Sequence, residues 1–106
     1  MPSAETAAPL FAALADPTRL ALLSRLADGR PRPIVALASA STLTRQAVSK
    51  HLAVLRDAGL VARRPQGRET HYALRPERLA AARAWLDEVA AQWEDALGRL
   101  KAHVEG

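Results

Sequence analysis

The sequence predicts a mainly helical domain that carries one small β-hairpin, with about five helices and two strands in all. Three observations predict it. Apolar residues recur at steps of three and four along most of the chain. Between Leu60 and Leu74 the step falls to two, around a Pro and a Gly. Nearly half of the 106 residues are hydrophobic, with Ala and Leu dominant, which suits a packed helical core and not a disordered chain. The length allows a single domain over residues 1–106 with a modest core.

Taken in order, residues 1–5 read as a frayed N-terminus. A short helix follows from about Thr6 to Ala15, with Leu10, Phe11 and Leu14 on one side. Asp16-Pro17 restarts the chain as an N-cap and first helical residue. That second helix runs to about Ala27, with Leu20, Leu23 and Leu26 facing in, and Asp28-Gly29 ends it. Arg30-Pro31-Arg32-Pro33 reads as a stiff basic connector. Pro33 opens a third, short helix whose Ile34, Leu37 and Ala38 are core positions.

Ser41-Thr42-Leu43 is the turn into the central helix, residues 44–58. Two helices joined by so short a turn form a helix-turn-helix pattern. Such turns often hold a Gly; Thr42 stands in that place and, because Thr pays more than Gly for a positive φ, the turn is expected to be either strained or shaped differently. Thr44 is a good N-cap, and Gly59 stops the helix as a C′ residue does. Val48, His51, Leu52 and Leu55 fall on one side, and Arg45, Gln46, Ser49, Lys50 and Ala53 on the other. This stretch alone fits two readings. One is an ordinary amphipathic surface helix. The other is a recognition helix sized for a DNA major groove, where Arg and Lys read guanine, Gln reads adenine and Ser reads either.

The segment that follows favours the second reading. Leu60–Arg64 and Glu69–Leu74 read as strands around the turn Pro65-Gln66-Gly67-Arg68, with Tyr72 and Leu74 on one face. Arg63, Arg64 and Arg68 cluster near the tip, so residues 60–75 form a basic wing able to lie along phosphates or enter a minor groove. The net charge of +4 is uneven: residues 44–75 hold seven basic and two acidic side chains, whereas residues 76–106 hold four and six. A positive middle third is the footprint of a polyanion partner. The candidate DNA-binding residues are therefore Thr44, Arg45, Gln46, Ser49, Lys50, Arg63, Arg64 and Arg68.

Pro76 opens a last helix to about Val104. Leu79, Ala82, Leu86, Val89, Trp93, Leu97, Leu100 and Val104 make a heptad-like seam along it, flanked by Trp85. So small a domain cannot cover a seam of that length, so residues 76–104 read as a dimerisation helix. Leu10, Phe11, Leu14, Leu86, Val89, Trp93, Leu97 and Leu100 are the expected interface with a second copy.

The chain contains no cysteine, which removes disulfides, thiolate metal sites and thiol redox sensing together. No apolar run approaches the ~20 residues of a membrane span and no signal peptide is visible, so a cytoplasmic protein with no membrane partner is expected. No set of nucleophile, base and orienting group stands out, so no enzyme activity is expected.

The residues Leu14-Ala15-Asp16-Pro17-Thr18-Arg19-Leu20, Gln46-Ala47-Val48-Ser49-Lys50-His51-Leu52, Leu55-Arg56-Asp57-Ala58-Gly59-Leu60-Val61, Gly67-Arg68 and Tyr72 carry a likeness to a known family. Over roughly residues 8–104 the chain resembles the ArsR/SmtB family of bacterial winged helix-turn-helix repressors. The resemblance implies a homodimer joined through its first and last helices, and operator binding through the helix from Thr44. The family's sensing residues do not carry over. Where thiol-based sensors have a Cys-x-Cys type motif, this chain reads Ile34-Val35-Ala36-Leu37-Ala38. Where zinc-type sensors have Asp-x-His on the last helix, it reads Asp87-x-Val89, and His103 with Glu105 lacks a partner pair. The chain is similar to the cysteine-free, metal-independent, SdpR-like branch of autorepressors, with no metal and no cofactor.

Of the remaining residues, His51 reads as a packed histidine hydrogen-bonded near the wing, His71 as an exposed strand residue, and His103 as chemically idle. Trp85 and Trp93 fit plain interface anchors, or the walls of a small-molecule effector pocket in the dimer. The leading expectation is a homodimeric repressor, in the autorepressor manner, on an inverted-repeat operator. The alternatives are an effector-gated sensor and a winged-helix module that binds protein; the small outward Ser49 and Ala53 favour DNA over protein.

Overall fold

The computed structural model describes residues 3–106. The elements run α1 (Ala4–Leu14), α2 (Pro17–Arg25), β1 (Arg32–Pro33), α3 (Ile34–Ser39), α4 (Arg45–Asp57), β2 (Val61–Gln66), β3 (Glu69–Leu74) and α5 (Pro76–Glu105). Five helices and a hairpin are as expected; a third strand is an addition.

Local chemistry sets most boundaries. Ser3 caps α1 by accepting from the Thr6 amide, so the helix begins at Ala4, inside the stretch expected to fray. The fraying expected of Met1 and Pro2 lies outside the described residues. Asp16 accepts from the Thr18 amide with Pro17 at the first position of α2. Gly59, at φ +78°, closes α4 in a Schellman motif. Its amide reaches the Arg56 carbonyl at 2.9 Å, and the Leu60 amide reaches the Leu55 carbonyl at 2.9 Å. Leu55 and Leu60, both wholly buried, make the apolar contact that accompanies such a cap.

The core gathers Leu10 and Ala13 of α1, Leu22, Leu23 and Leu26 at α2, Leu37 of α3, Val48, Leu52 and Leu55 of α4, then Leu60, Val61, Tyr72 and Ala82. Each buried leucine contributes roughly 1.5–3 kcal/mol before ordering costs. Two expectations change here. Leu20 is half exposed and Leu22 is buried in its place; Leu20 stands about 120° around the helix from Leu26, outside the inward arc. Leu10, expected at the dimer interface, is only 2% exposed within its own protomer. It turns into the core with Ala13, while Phe11 and Leu14 pack partly buried at its margin.

The sheet is antiparallel in the order β1-β3-β2. The basic connector thus supplies a strand: Arg32 pairs with Tyr72 and Pro33 with His71. Pro33 has no amide to donate, so β1 can be only a short edge. Arg32 anchors it, donating to the Arg25 carbonyl at 2.9 Å and pairing with Asp28 at 2.8 Å. The Arg30 amide hydrogen-bonded to Asp28, helped by the nearby Arg32, holds the Asp28 carboxyl below the usual carboxylate range. β2 starts one residue later and runs two residues further than expected, while β3 has the expected bounds. Gln66 pairs with Glu69, leaving Gly67-Arg68 as a two-residue turn with positive φ at Gly67 alone, the type II′ pattern. Of the two outcomes expected at Thr42, the turn takes the second and is shaped differently: no non-glycine residue among the described residues has positive φ. Instead Ser41 closes the turn, its hydroxyl accepting from the Leu43 amide at 3.0 Å.

Helix α5 leaves the domain. Its first turns pack on α1, where the Phe11 and Trp85 rings meet at 5.4 Å and 59°. Past Glu88 only Val89 and Ala96 are partly covered. Trp93 is 65% exposed, and Leu86, Leu97, Leu100 and Val104 are also exposed on the same broad face. The protrusion stretches the molecule to 67 Å and the radius of gyration to 18.1 Å, against about 13 Å for a compact chain of this size.

Candidate nucleic-acid interface

Helix α4 is built to be seated on one side and open on the other. Thr44 caps it, its hydroxyl accepting from the Ala47 amide at 3.1 Å. Val48, Leu52 and Leu55 are fully buried and lock the helix to the core. Arg45, Gln46, Ser49 and Lys50 are all exposed, as is Thr44; Ala53 is half-buried.

The hairpin stands beside that open side. A groove of about 370 Å³ runs between them, lined by Arg45, Gln46 and Ser49 from α4, Arg63, Thr70 and Tyr72 from the hairpin, and Ile34. Arg63 pairs opposite Tyr72 and Arg64 opposite His71. Side chains alternate across a strand, so Arg63 faces the groove and Arg64 the other face. Arg68 sits in the turn at the tip. The three arginines expected as one cluster are therefore spread over two faces and a tip. Thr70 was missed by sequence reasoning; its only signal was the period-2 alternation that puts it on the same face as Tyr72.

Electrostatics sharpen the site. Among the described residues, ion pairs join Arg19, Arg32, Arg75, Arg83 and Lys101 to nearby carboxylates, whereas Arg45, Lys50, Arg63, Arg64 and Arg68 take part in none. Exposed cations without counter-charges on an open helix and its neighbouring hairpin suit phosphate and base edges.

The histidines sit differently from expectation. His51 meets the start of α2 and not the wing: its Nδ1 is 3.3 Å from an Arg19 nitrogen and 4.0 Å from Asp16. His71 is largely covered. Its Nε2 lies 3.3 Å from Glu69, and its buried Nδ1 has no partner among the described residues. Trp85 packs on Phe11 while Trp93 stands in solvent. Eight residues of helix, about 12 Å, separate them, so within one protomer they share no pocket wall. Among the described residues no three His, Asp or Glu side chains gather as a metal cluster, and no helix is long and apolar enough to cross a membrane.

A short helix, a turn, a seated but outward-reading helix and a flanking hairpin define a winged helix-turn-helix. A family described as "Helix-turn-helix domain" matches residues 14–64. The chain is 49% identical over 75 residues to the HTH-type transcriptional regulator Rv2034 of Mycobacterium tuberculosis, covering 71% of this chain and 69% of that one. The crystal structure of an ArsR family transcriptional regulator, RHA00566, superposes with a TM-score of 0.79 at 36% identity, over 88% of this chain and 95% of that chain. The solution structure of the homodimeric winged helix-turn-helix DNA-binding domain of Mb0332 from Mycobacterium bovis gives a TM-score of 0.66 at 32% identity, over 83% and 81%. This chain belongs to the ArsR family of transcriptional regulators. It is a DNA-binding regulator and not an enzyme.

Proposed function

We propose that the protein is a homodimeric repressor that occupies an inverted-repeat operator, with α4 in the major groove and the hairpin against the flanking backbone. The observation that carries this reading is the shared groove: Arg45, Gln46 and Ser49 of α4 face it together with Arg63 of β2, and among the described residues no carboxylate forms an ion pair with either arginine. Gln46, Ser49 and Lys50 address base edges; Arg45 addresses bases or phosphate; Arg63, Arg64 and Arg68 address phosphates or minor-groove potential; Thr44 sets the helix end at the backbone.

The exposed stripe of α5 supports the dimer. Leu86, Trp93, Leu97 and Leu100 form a contiguous apolar face of a kind that monomers rarely leave in water. Val89 and the partly buried Phe11 and Leu14 extend it. The Mycobacterium bovis neighbour is homodimeric in solution. Two reading helices are also needed, because one covers too few base pairs to stand out against competing genomic sites. Repression follows from occupancy, since a dimer on its operator excludes polymerase. No metal enters this reading, which keeps the chain with the metal-independent branch.

Footprinting on the DNA upstream of the protein's own gene tests the proposal. The expected result is protection of two inverted half-sites with centres about 34–36 Å apart, or a multiple. Protection of a single half-site, or of no discrete sequence, contradicts it.

A further inference from the structure

We infer that Arg19 is a positioning residue for DNA recognition: it ties α4 to α1 through His51, so operator affinity in the intact dimer depends on the Arg19–His51 contact. The inference rests on the reading above, in which α4 reads DNA and α1 with α5 forms the dimer platform.

The Arg19 side chain is only 17% exposed, and every nitrogen of its guanidinium has a partner. Nε donates to the Ala13 carbonyl, and Nη2 to the Ala12 carbonyl at 3.3 Å. Nη1 lies 3.3 Å from Nδ1 of His51 and 4.0 Å from Asp16 Oδ2. Ala12 and Ala13 belong to the last turn of α1, whose carbonyls carry its negative end; that of Ala12 also takes the amide of the cap residue Ala15 at 3.3 Å. That turn has no basic residue of its own. Arg19 supplies the missing cation from α2. A guanidinium has donors only, so at this contact His51 Nδ1 accepts and its proton sits on Nε2.

One side chain thus joins three helices. On one side the links run from α1 through Phe11 to Trp85 on α5. On the other, His51 directly follows Ser49 and Lys50, which stand exposed on the reading face of α4. A shift of α1 against α5 moves the carbonyls that hold Arg19, and with them the partner of His51. This is a contiguous route, one ring contact followed by hydrogen bonds, from the dimer platform to the reading helix. A lysine cannot copy it, because one ammonium lacks the planar fork that spans two carbonyls and an imidazole.

The experiment compares wild type with Arg19→Lys, His51→Leu, the double variant and His51→Asn, whose amide oxygen can stand where Nδ1 does. Each is measured for sedimentation, thermal melting, and affinity for the footprinted operator and for a scrambled duplex of equal length. Arg19→Lys and His51→Leu should each lose about tenfold on the operator, as loss of one charge-assisted hydrogen bond implies. Both should stay dimeric, with scrambled-duplex affinity unchanged. The double variant should be no weaker than either single one, since both remove the same contact. His51→Asn should keep most of the affinity.

Losses that multiply in the double variant overturn the inference. So does operator affinity that is indifferent to both singles, or operator and scrambled binding that fall together with the melting temperature, which marks a merely structural role. Should Arg19→Lys fail to fold, equal affinities of His51→Leu and His51→Asn overturn it as well. A wild type that is monomeric, or binds no discrete operator, removes the functional reading and this inference together. A normal wild type with an indifferent Arg19→Lys removes only the role of Arg19.

Discussion

Gln46 on α4 and Arg63 on β2 face into one groove, and the pairing of Arg63 opposite Tyr72 is what turns it there. The two side chains approach a duplex from different elements and are expected to do different work. Gln46 is placed for a base edge, where an amide makes a bidentate pair with adenine. Replacing Gln46 with Ala should cost about 1–3 kcal/mol on the preferred operator and relax preference at one position. Binding to a panel of operators with single-base changes checks this; an equal loss on every sequence makes Gln46 a phosphate contact.

Arg68 sits at the exposed hairpin tip, in none of the ion pairs among the described residues. A phosphate contact there releases counterions without reading sequence. Arg68→Ala should weaken binding on most sequences and lower the slope of log affinity against log salt by about one unit per copy. A titration at several salt concentrations decides it, and an unchanged slope takes Arg68 out of the interface.

Leu97 lies in the middle of the uncovered half of α5, 57% exposed in the single chain. In the proposed dimer a glutamate there would place a charge against an apolar surface or its own symmetry mate, which is costly without a partner charge. Leu97→Glu should sediment as a monomer at micromolar concentration and lose operator affinity sharply, although no DNA-facing residue has changed. A variant that stays dimeric and binds normally places the interface elsewhere.

Two glycines predict opposite outcomes. Gly59 has a φ of +78°, and a Cβ there would meet the Arg78 side chain at 3.0 Å. Gly59→Ala should destabilise by about 1–2 kcal/mol from the left-handed backbone alone. Gly98 lies inside α5, and a methyl added there would have nothing within 4 Å, so Gly98→Ala should stabilise by about 0.5–1 kcal/mol. Denaturant melts at one fixed protein concentration give both signs, and a destabilised Gly98→Ala means that a partner packs on that face.

Zinc, cadmium and arsenite at low concentration should neither bind stoichiometrically nor release DNA, because the chain has no thiol and the carboxylate–histidine spacing on the last helix is broken. Equilibrium dialysis followed by gel shift is the check. Tight zinc binding that disappears in His103→Ala is the result that sinks this expectation.

The sequence by itself determined the elements whose cause is local. Thr44 and Asp16 cap their helices because a short hydroxyl or carboxylate must satisfy free amides. Gly59 ends α4 because only glycine takes that φ cheaply. The apolar set Val48, Leu52 and Leu55 fixed which side of α4 is buried, and so which side is left to read. Tertiary structure decided what depends on distant partners. Arg32-Pro33 became a strand because β3 offered an edge, which two residues of sequence cannot announce. Leu10 and Leu20 exchanged their expected places with respect to the core because several faces compete for limited space inside a small domain. Arg63, and not Arg64, came to face α4 once the register opposite Tyr72 and His71 was set. His51 found Arg19, thirty-two positions away, because packing of α4 on α2 brought an acceptor to a guanidinium already held by the end of α1.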